Sequence, residues 1–193
     1  MSEFSQNYDG EHYGTGYSRA KDPIVKLNLL DEDEVDAFFD QECPKYVIHS
    51  AAERRPDVSE KDPDGTWSLN VNSTQHLARL CKKYGSWLLY LSTDYVFDGT
   101  SPPYQPGDTP NPLNLYGKSK LAGEEAIQEI FDNYCILRVP ILYGEVEALE
   151  ESAVTAIALD LRKNPIPSQD DWATRYPTHV DDVALVCRQM VEQ

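Results

Sequence analysis

The sequence predicts an α/β fold in which parallel strands lie between layers of helices. Short apolar segments of strand length alternate with longer segments of helical periodicity, which is typical of βαβ units. Residues 87–91 (WLLYL) are apolar without alternation, as in a strand that is covered on both faces. A chain of 193 residues is close to the size of one hydrophobic core. We therefore expect a single domain over residues 13–193, after a disordered, polar lead-in over residues 1–12.

Hydrophobic periodicity, segment length and the positions of glycine and proline predict the strands and helices in order along the chain. Strands are predicted at residues 13–17, 25–27, 45–49, 87–91 and 134–139, and helices at residues 33–40, 64–84, 115–131, 152–162 and 181–191. Gly85 should end the second helix, because glycine readily adopts the left-handed conformation found there. Residues 99–114 contain Pro102, Pro103, Pro106, Pro110 and Pro112, whose fixed φ angles predict a stiff loop that walls a site.

Composition argues against several classes of function. With 17 Lys and Arg against 33 Asp and Glu, the formal charge of −16 repels nucleic acid and anionic membrane surfaces. The four cysteines include no C-x-x-C pair, and the four histidines lack metal-ligand spacing, so we expect free thiols and no metal. No segment resembles a signal peptide or a membrane span. These features predict a cytoplasmic protein, with the nucleus as a second location.

A candidate reaction centre follows the apolar strand. Ligands of parallel sheets bind beyond the carboxyl ends of the strands, where Ser92 and Thr93 stand. On the next predicted helix, Tyr116 and Lys120 share one face, so the ammonium is expected to lower the pKa of the phenol. Such a tyrosine, beside the Thr93 hydroxyl, can protonate a carbonyl oxygen while a reduced nicotinamide delivers hydride. The pattern is short and recurs at Tyr17 and Lys21, which we assign to a surface loop.

Longer strings carry a family resemblance. Residues 91–99 (LSTDYVFDG) and 112–124 (PLNLYGKSKLAGE) resemble the extended short-chain dehydrogenases that reduce dTDP-4-keto-6-deoxy sugars. Within that superfamily, four further strings resemble the regulatory beta subunits of methionine adenosyltransferase: residues 51–58 (AAERRPDV), 138–147 (RVPILYGEVE), 149–155 (LEESAVT) and 175–188 (RYPTHVDDVALVCR). The resemblance spans about residues 14–189. It implies a Rossmann-like, doubly wound parallel sheet within an RmlD-like NAD(P)-binding domain, and docking on the catalytic subunit that makes S-adenosylmethionine.

The resemblance also implies roles for single residues. Thr93, Tyr116 and Lys120 match the reductase triad, and Asn70 matches a helix asparagine that orders a nearby water. Arg19 stands where the family faces the 2′-phosphate of NADP. The positions matching residues that line the dinucleotide are Leu29, Asp31, Ala51 and Val139, together with Tyr116 and Lys120. Simpler interpretations stand beside these: a helix kink at Asn70, a solvated charge at Arg19, and packing at Ala51 and Val139.

Two parts of the family pattern are missing from the sequence. No apolar strand with a Gly-x-x-Gly-x-x-Gly turn precedes Gly14, although that turn normally cradles the pyrophosphate at a helix N-terminus. The sequence also lacks most of the C-terminal substrate lobe. We therefore expect a partial fold with a gap where the first strand would lie, from a shortened isoform, an incomplete gene model or a degenerate copy.

Two functions, and a non-functional remnant, remain as hypotheses. The leading one is a non-catalytic regulatory subunit of methionine adenosyltransferase, favoured by the long strings. The alternative is an NADPH-dependent reductase of a nucleotide-linked 4-keto-6-deoxy sugar, favoured by Thr93, Tyr116 and Lys120.

Overall fold

The computed structural model describes residues 12–163 and 174–192, so the predicted lead-in lies outside the described residues except for His12. The described residues fall into two compact units, the first ending at Arg138 and the second beginning at Val139. The assignment of residues 13–193 to a single domain stays a prediction.

The strands of the first unit form two groups. The strands β1 (Thr15–Gly16) and β2 (Val25–Lys26) pair in parallel. A second sheet has the order β3 (Tyr46–His49), β4 (Trp87–Thr93), β5 (Tyr134–Val139), so the predicted apolar strand is central. β3 and β4 are parallel, in a register that aligns Tyr46 with Trp87 and His49 with Tyr90. The predicted α/β class with parallel strands is confirmed.

Helices cover these strands and supply most of the core. They are α1 (Glu32–Glu42), α2 (Pro56–Lys61), α3 (Pro63–Trp67), α4 (Ser73–Tyr84) and α5 (Leu115–Ile130). The core cluster combines α1, α4, β4 and α5 through side chains such as Phe39, Leu77, Leu88 and Ile127. Because α4 packs against both α1 and α5, it links the helices of this unit.

The helix predicted over residues 64–84 is present but not uniform. A π-helical segment, Ser68–Asn72, joins α3 to α4, and such segments mark an extra residue in the helical turn. Gly85 ends α4 with φ 71°, as predicted. Pro56 begins α2, because proline suits the first turn of a helix.

The N-terminus of α5 is fixed by two side chains. Asn114 caps it, its Oδ1 accepting the Gly117 amide at 2.8 Å, and Glu60 of α2 accepts the Leu115 amide at 2.9 Å. Gly117 itself must lack a side chain, since a Cβ there would lie 2.3 Å from the Tyr95 carbonyl oxygen. The start of α5 is therefore held close to the end of β4.

The second unit contains a short strand pair and two helices. β6 (Leu142–Tyr143) pairs in parallel with β7 (Thr178–His179), next to α6 (Ala153–Lys163) and α7 (Val180–Glu192). The Tyr143 and His179 rings meet edge to face, with centroids 5.1 Å apart. Within residues 12–163 and 174–192, no helix is long and apolar enough to cross a membrane. The same residues contain no group of His, Cys, Asp and Glu that could hold a metal ion.

Candidate functional site

The side chains of Thr93 and Tyr116 meet at the carboxyl end of β4. The Thr93 hydroxyl lies near enough to the Tyr116 phenol to lower its pKa. The Thr93 Oγ1 also accepts the Tyr95 amide at 3.2 Å, which restricts its rotation. The rings of Tyr95 and Tyr116 pack edge to face with centroids 5.8 Å apart. The structure thus brings together the phenol and the hydroxyl that the sequence places in one site.

The Tyr116 phenol is a weaker acid than expected. Burial raises the pKa of Tyr116 above its ordinary value, and the Asp94 carboxylate contributes to the increase. The Thr93 hydroxyl and the positive charge of Arg54 act in the opposite direction without offsetting burial. The prediction that Lys120 lowers the pKa of this phenol is therefore wrong: the pKa is raised, and Lys120 is not among the groups that act on it.

Lys120 is directed into the protein. It is 2% exposed, and its Nζ lies 3.9 Å from the centroid of the Tyr90 ring. Burial lowers the pKa of Lys120 to about 7, against the opposing effect of the Glu124 carboxylate one turn further along α5. Burial, assisted by the charge of Lys120, lowers the pKa of His49 to about 3. Burial therefore disfavours the charged forms of both His49 and Lys120.

Asn70 lies in the π-helical segment and tethers two parts of the site. Its Oδ1 accepts the Glu53 amide at 2.8 Å, while its Nδ2 donates to the Glu53 carbonyl oxygen at 3.0 Å and to the Ser119 hydroxyl at 2.9 Å. Both N–H groups of the side chain therefore have protein acceptors. The amide ties the segment after β3 to α5, and a water-ordering role for Asn70 stays a prediction.

A buried ion pair supports α5 from behind the site. Glu124 is 1% exposed and receives three hydrogen bonds from Arg138 of β5, at 3.0 Å from Nε to Oε1, 3.3 Å from Nε to Oε2 and 2.7 Å from Nη2 to Oε2. The Ser92 hydroxyl donates to the same carboxylate. Because β4 alternates direction, Ser92 faces this pair while Thr93 faces Tyr116. Of the two hydroxyl groups that the sequence places at the end of β4, the one on Ser92 therefore supports α5 and the one on Thr93 belongs to the candidate site.

The proline-containing loop is organised by a carboxylate. Asp98 accepts hydrogen bonds from the amide and hydroxyl of Thr100 and from the side chains of Asn111 and Tyr104. These bonds, led by that of the Thr100 amide, hold the pKa of Asp98 well below its usual range. The Tyr104 ring stacks on Phe97 at 4.2 Å between centroids. This order is consistent with the stiff wall that the sequence predicts.

The remaining residues assigned to a dinucleotide lie in separate places. Arg19 is exposed in the turn between β1 and β2, and Ala51 is exposed just beyond β3. Asp31 caps α1, its Oδ1 accepting the Glu34 amide at 3.1 Å, and Leu29 packs against the core. Val139 is the last residue of β5 and belongs to the second unit. Their contacts with a ligand stay predictions.

Arg54 is a candidate that the sequence reasoning missed. It is exposed in the segment after β3, and its charge acts to lower the pKa of Tyr116, with the smallest of the effects on that phenol. The sequence feature that could have identified Arg54 is its position just after a predicted parallel strand, within the string at residues 51–58. The adjacent arginine differs, because Arg55 pairs with Glu53 at 2.9 Å.

The described residues could contact the two ends of a dinucleotide, its 2′-phosphate and its nicotinamide, but they offer less to the pyrophosphate between them. Exposed cations at Arg19 and Arg54, and the phenol of Tyr116, suit a 2′-phosphate end and a nicotinamide end. In the part of the chain that the structure describes, β1 is followed by a turn and β2 instead of a glycine-rich turn and a helix, so no pyrophosphate cradle forms there.

The fold is that of an α/β protein with Rossmann-like parallel sheets. The family model for the RmlD substrate binding domain matches residues 3–193, and the chain belongs to that family. Proteins named Methionine adenosyltransferase 2 subunit beta from Bos taurus and Danio rerio are each 48% identical to it over 192 residues. These matches cover 99% of the chain but only 57% and 58% of the relatives.

Reductases also match. The dTDP-4-dehydrorhamnose reductase of Salmonella typhimurium is 39% identical over 144 residues, covering 68% of the chain and 48% of the reductase. The solved reductase of Clostridium acetobutylicum superposes with a TM-score of 0.81 at 25% identity, over 99% of the chain and 66% of that protein. The Bacillus anthracis reductase, solved in complex with NADP, gives 0.73 at 27%, over 86% of the chain and 59% of that protein.

Proposed function

We propose that this chain acts as a non-catalytic regulatory subunit that binds the catalytic subunit of methionine adenosyltransferase and modulates synthesis of S-adenosylmethionine. The observation that carries the proposal is the 48% identity over 99% of the chain to a protein named as the beta subunit of that enzyme. The chain spans 57% of that relative, so the partner and the regulation pass to this chain as proposals.

The site geometry favours regulation over catalysis. A general acid is most effective when its pKa lies near the working pH. Burial raises the pKa of Tyr116, and the ammonium that would counter this effect faces the Tyr90 ring. Thr93 and Tyr116 nevertheless lie near one another at the carboxyl end of β4, which supports binding of a ligand without requiring turnover.

The partner is tested with purified proteins. The 193-residue chain is mixed with the catalytic subunit, passed through gel filtration, and assayed for the dependence of the initial rate on methionine concentration. We expect a stable complex and a changed methionine dependence. The full-length Bos taurus relative is the positive control, and the Salmonella typhimurium reductase controls for the fold. If the relative binds and this chain elutes alone at the same concentrations, the proposal is wrong.

We also propose that the chain binds NADP, with Arg19 facing the 2′-phosphate. Titration calorimetry with NADP and NAD should show a preference for NADP. Loss of one charge-assisted contact weakens binding by about tenfold, so Arg19→Ala should reduce NADP affinity by that factor and leave NAD affinity unchanged. Equal loss for both dinucleotides, or no loss, would contradict the role of Arg19.

The second candidate is an NADPH-dependent reductase of a nucleotide-linked 4-keto-6-deoxy sugar. The nearness of the Thr93 hydroxyl to the Tyr116 phenol favours it, since a reductase of this kind needs both groups at one site. The assay is NADPH oxidation with such a sugar, compared with Tyr116→Phe. Turnover that Tyr116→Phe abolishes supports this function, whereas no turnover, or turnover that Tyr116→Phe leaves intact, excludes it.

A further inference from the structure

We propose that Tyr90 is a positioning residue for Lys120: its ring face holds the ammonium inside the first unit, and Gly123 leaves the space that the tyrosine requires. The inference deepens the proposed nucleotide binding, because Lys120 is one of the residues assigned to the dinucleotide. The evidence for Tyr90 itself comes from the packing of β4 against α5 and does not depend on a ligand.

Tyr90 is an unusual residue for its place. It occupies the centre of an apolar strand and is fully buried, at 0% exposure, like Leu88 on the same face. Its hydroxyl is buried without a well-formed hydrogen bond, and the nearby Thr74 hydroxyl bonds to the Asn70 carbonyl oxygen and to His49. An unpaired buried hydroxyl disfavours folding, and a leucine would fill this position without one. The property that distinguishes Tyr90 from leucine at this position is the face of its aromatic ring.

Gly123 is the second unusual feature. A glycine in the middle of a helix is less favourable than alanine by about 1 kcal/mol. At Gly123, however, a Cβ would lie 2.4 Å from the Tyr90 hydroxyl oxygen and 3.0 Å from the Asn70 carbonyl oxygen. The glycine is thus required by the tyrosine, so the two exceptional residues form a single arrangement between β4 and α5.

The ring contact explains the arrangement. The Lys120 Nζ lies 3.9 Å from the ring centroid, well within the range of a cation–π interaction, which is strongest where water is excluded. The ionisable groups around Lys120 are His49 of β3, whose pKa the charge of Lys120 helps to lower, Tyr116 one turn earlier on α5, and Glu124 one turn later, which is paired with Arg138 of β5. The Glu124 carboxylate favours the charged form of Lys120, and the Tyr90 ring face is a second contact that does so.

The experiment measures the titration of Lys120 in the unliganded 193-residue chain. Lysine labelled with ¹³C at the ε carbon is followed by NMR against pH, and the Lys120 signal is identified by its loss in Lys120→Met. Tyr90→Phe is compared with a series of increasingly fluorinated phenylalanines at position 90, which keep the shape of the ring but weaken the negative potential of its face. Leu88→Ala is the control for damage to the same face of β4.

We expect Tyr90→Phe to leave the titration midpoint near its original value. Full fluorination should lower the midpoint by about one pH unit, which corresponds to a cation–π contribution of about 1.4 kcal/mol. Leu88→Ala should reduce stability and leave the midpoint unchanged. A midpoint that does not move with fluorination, or that moves equally in Leu88→Ala, overturns the role of Tyr90.

A second measurement separates this inference from the proposed function. NADP affinity is determined against pH in the same variants. If fluorination shifts both the Lys120 midpoint and the pH dependence of NADP affinity, both ideas are supported. If the Lys120 midpoint shifts but NADP does not bind, Tyr90 positions Lys120 and the proposed nucleotide binding fails. If NADP binds but the midpoint does not respond to fluorination, the positioning role fails and nucleotide binding stands.

Discussion

Gly123→Ala should destabilise the protein, although the same change usually stabilises a helix. Alanine improves helix propensity by about 1 kcal/mol. The new Cβ would lie 2.4 Å from the Tyr90 hydroxyl oxygen, so α5 or β4 has to move by roughly 1 Å to restore van der Waals contact. Overpacking a rigid core in this way costs about 1–3 kcal/mol. We expect a net loss of about 1 kcal/mol.

Urea unfolding of single and double variants tests this reasoning. Tyr90→Phe removes a buried hydroxyl without a well-formed hydrogen bond and should change stability by less than about 1 kcal/mol. In that background Gly123→Ala should be less harmful, with a coupling of about 1 kcal/mol. Gly107→Ala, where a Cβ meets nothing within 4 Å, is the matched control. A stabilising Gly123→Ala, or purely additive variants, would refute the proposed contact.

Three further predictions follow from the supports of the site. Asn70→Ala should lower the free energy of unfolding by about 2–4 kcal/mol in urea titrations, because it removes the hydrogen bonds of the Asn70 side chain to the Glu53 amide and the Ser119 hydroxyl. Asn72 is exposed on the same π-helical segment, and Asn72→Ala should change the free energy little. Glu124→Gln should cost about 3 kcal/mol in the same assay by breaking the ion pair with Arg138, and a change below about 0.5 kcal/mol would contradict this. Hydrogen bonding lowers the pKa of Asp98 in the folded protein. Its contribution to the order of the loop is therefore complete above the unfolded pKa of about 4 and is lost as the pH falls through the lower folded value. Limited proteolysis should find residues 99–114 protected at pH 4, whereas Asp98→Ala should expose them at pH 7.

Elements with strong local signals could be predicted closely. The strand predicted at residues 134–139 matches β5, and Gly85 ends α4 as its residue type indicates. The π-helical segment Ser68–Asn72 could not be predicted, because it depends on hydrogen bonds from Asn70 to residues distant in sequence. Periodicity reports which face of a helix is buried, and it carries no information about one extra residue in a turn.

The candidate site could be predicted in part, for a similar reason. Thr93 lies at a strand end and Tyr116 in the following helix, so topology alone brings them to the same rim. Glu124 and Arg138 could not be predicted, since a buried carboxylate in a helix has no local pattern that distinguishes it from a solvated one. Its partner lies on the next strand, which only the fold places within 2.7 Å.

The direction of Lys120 shows the limit of motif reasoning most clearly. An i,i+4 spacing states that Lys120 and Tyr116 share a face, but the lysine stem is long enough for the ammonium to reach different neighbours. In this structure the neighbour is the Tyr90 ring, which lies beneath α5 because Gly123 allows it to. A motif match therefore identifies the two residues, while the charge on the lysine and the acidity of the phenol are decided by what β4 presents to them.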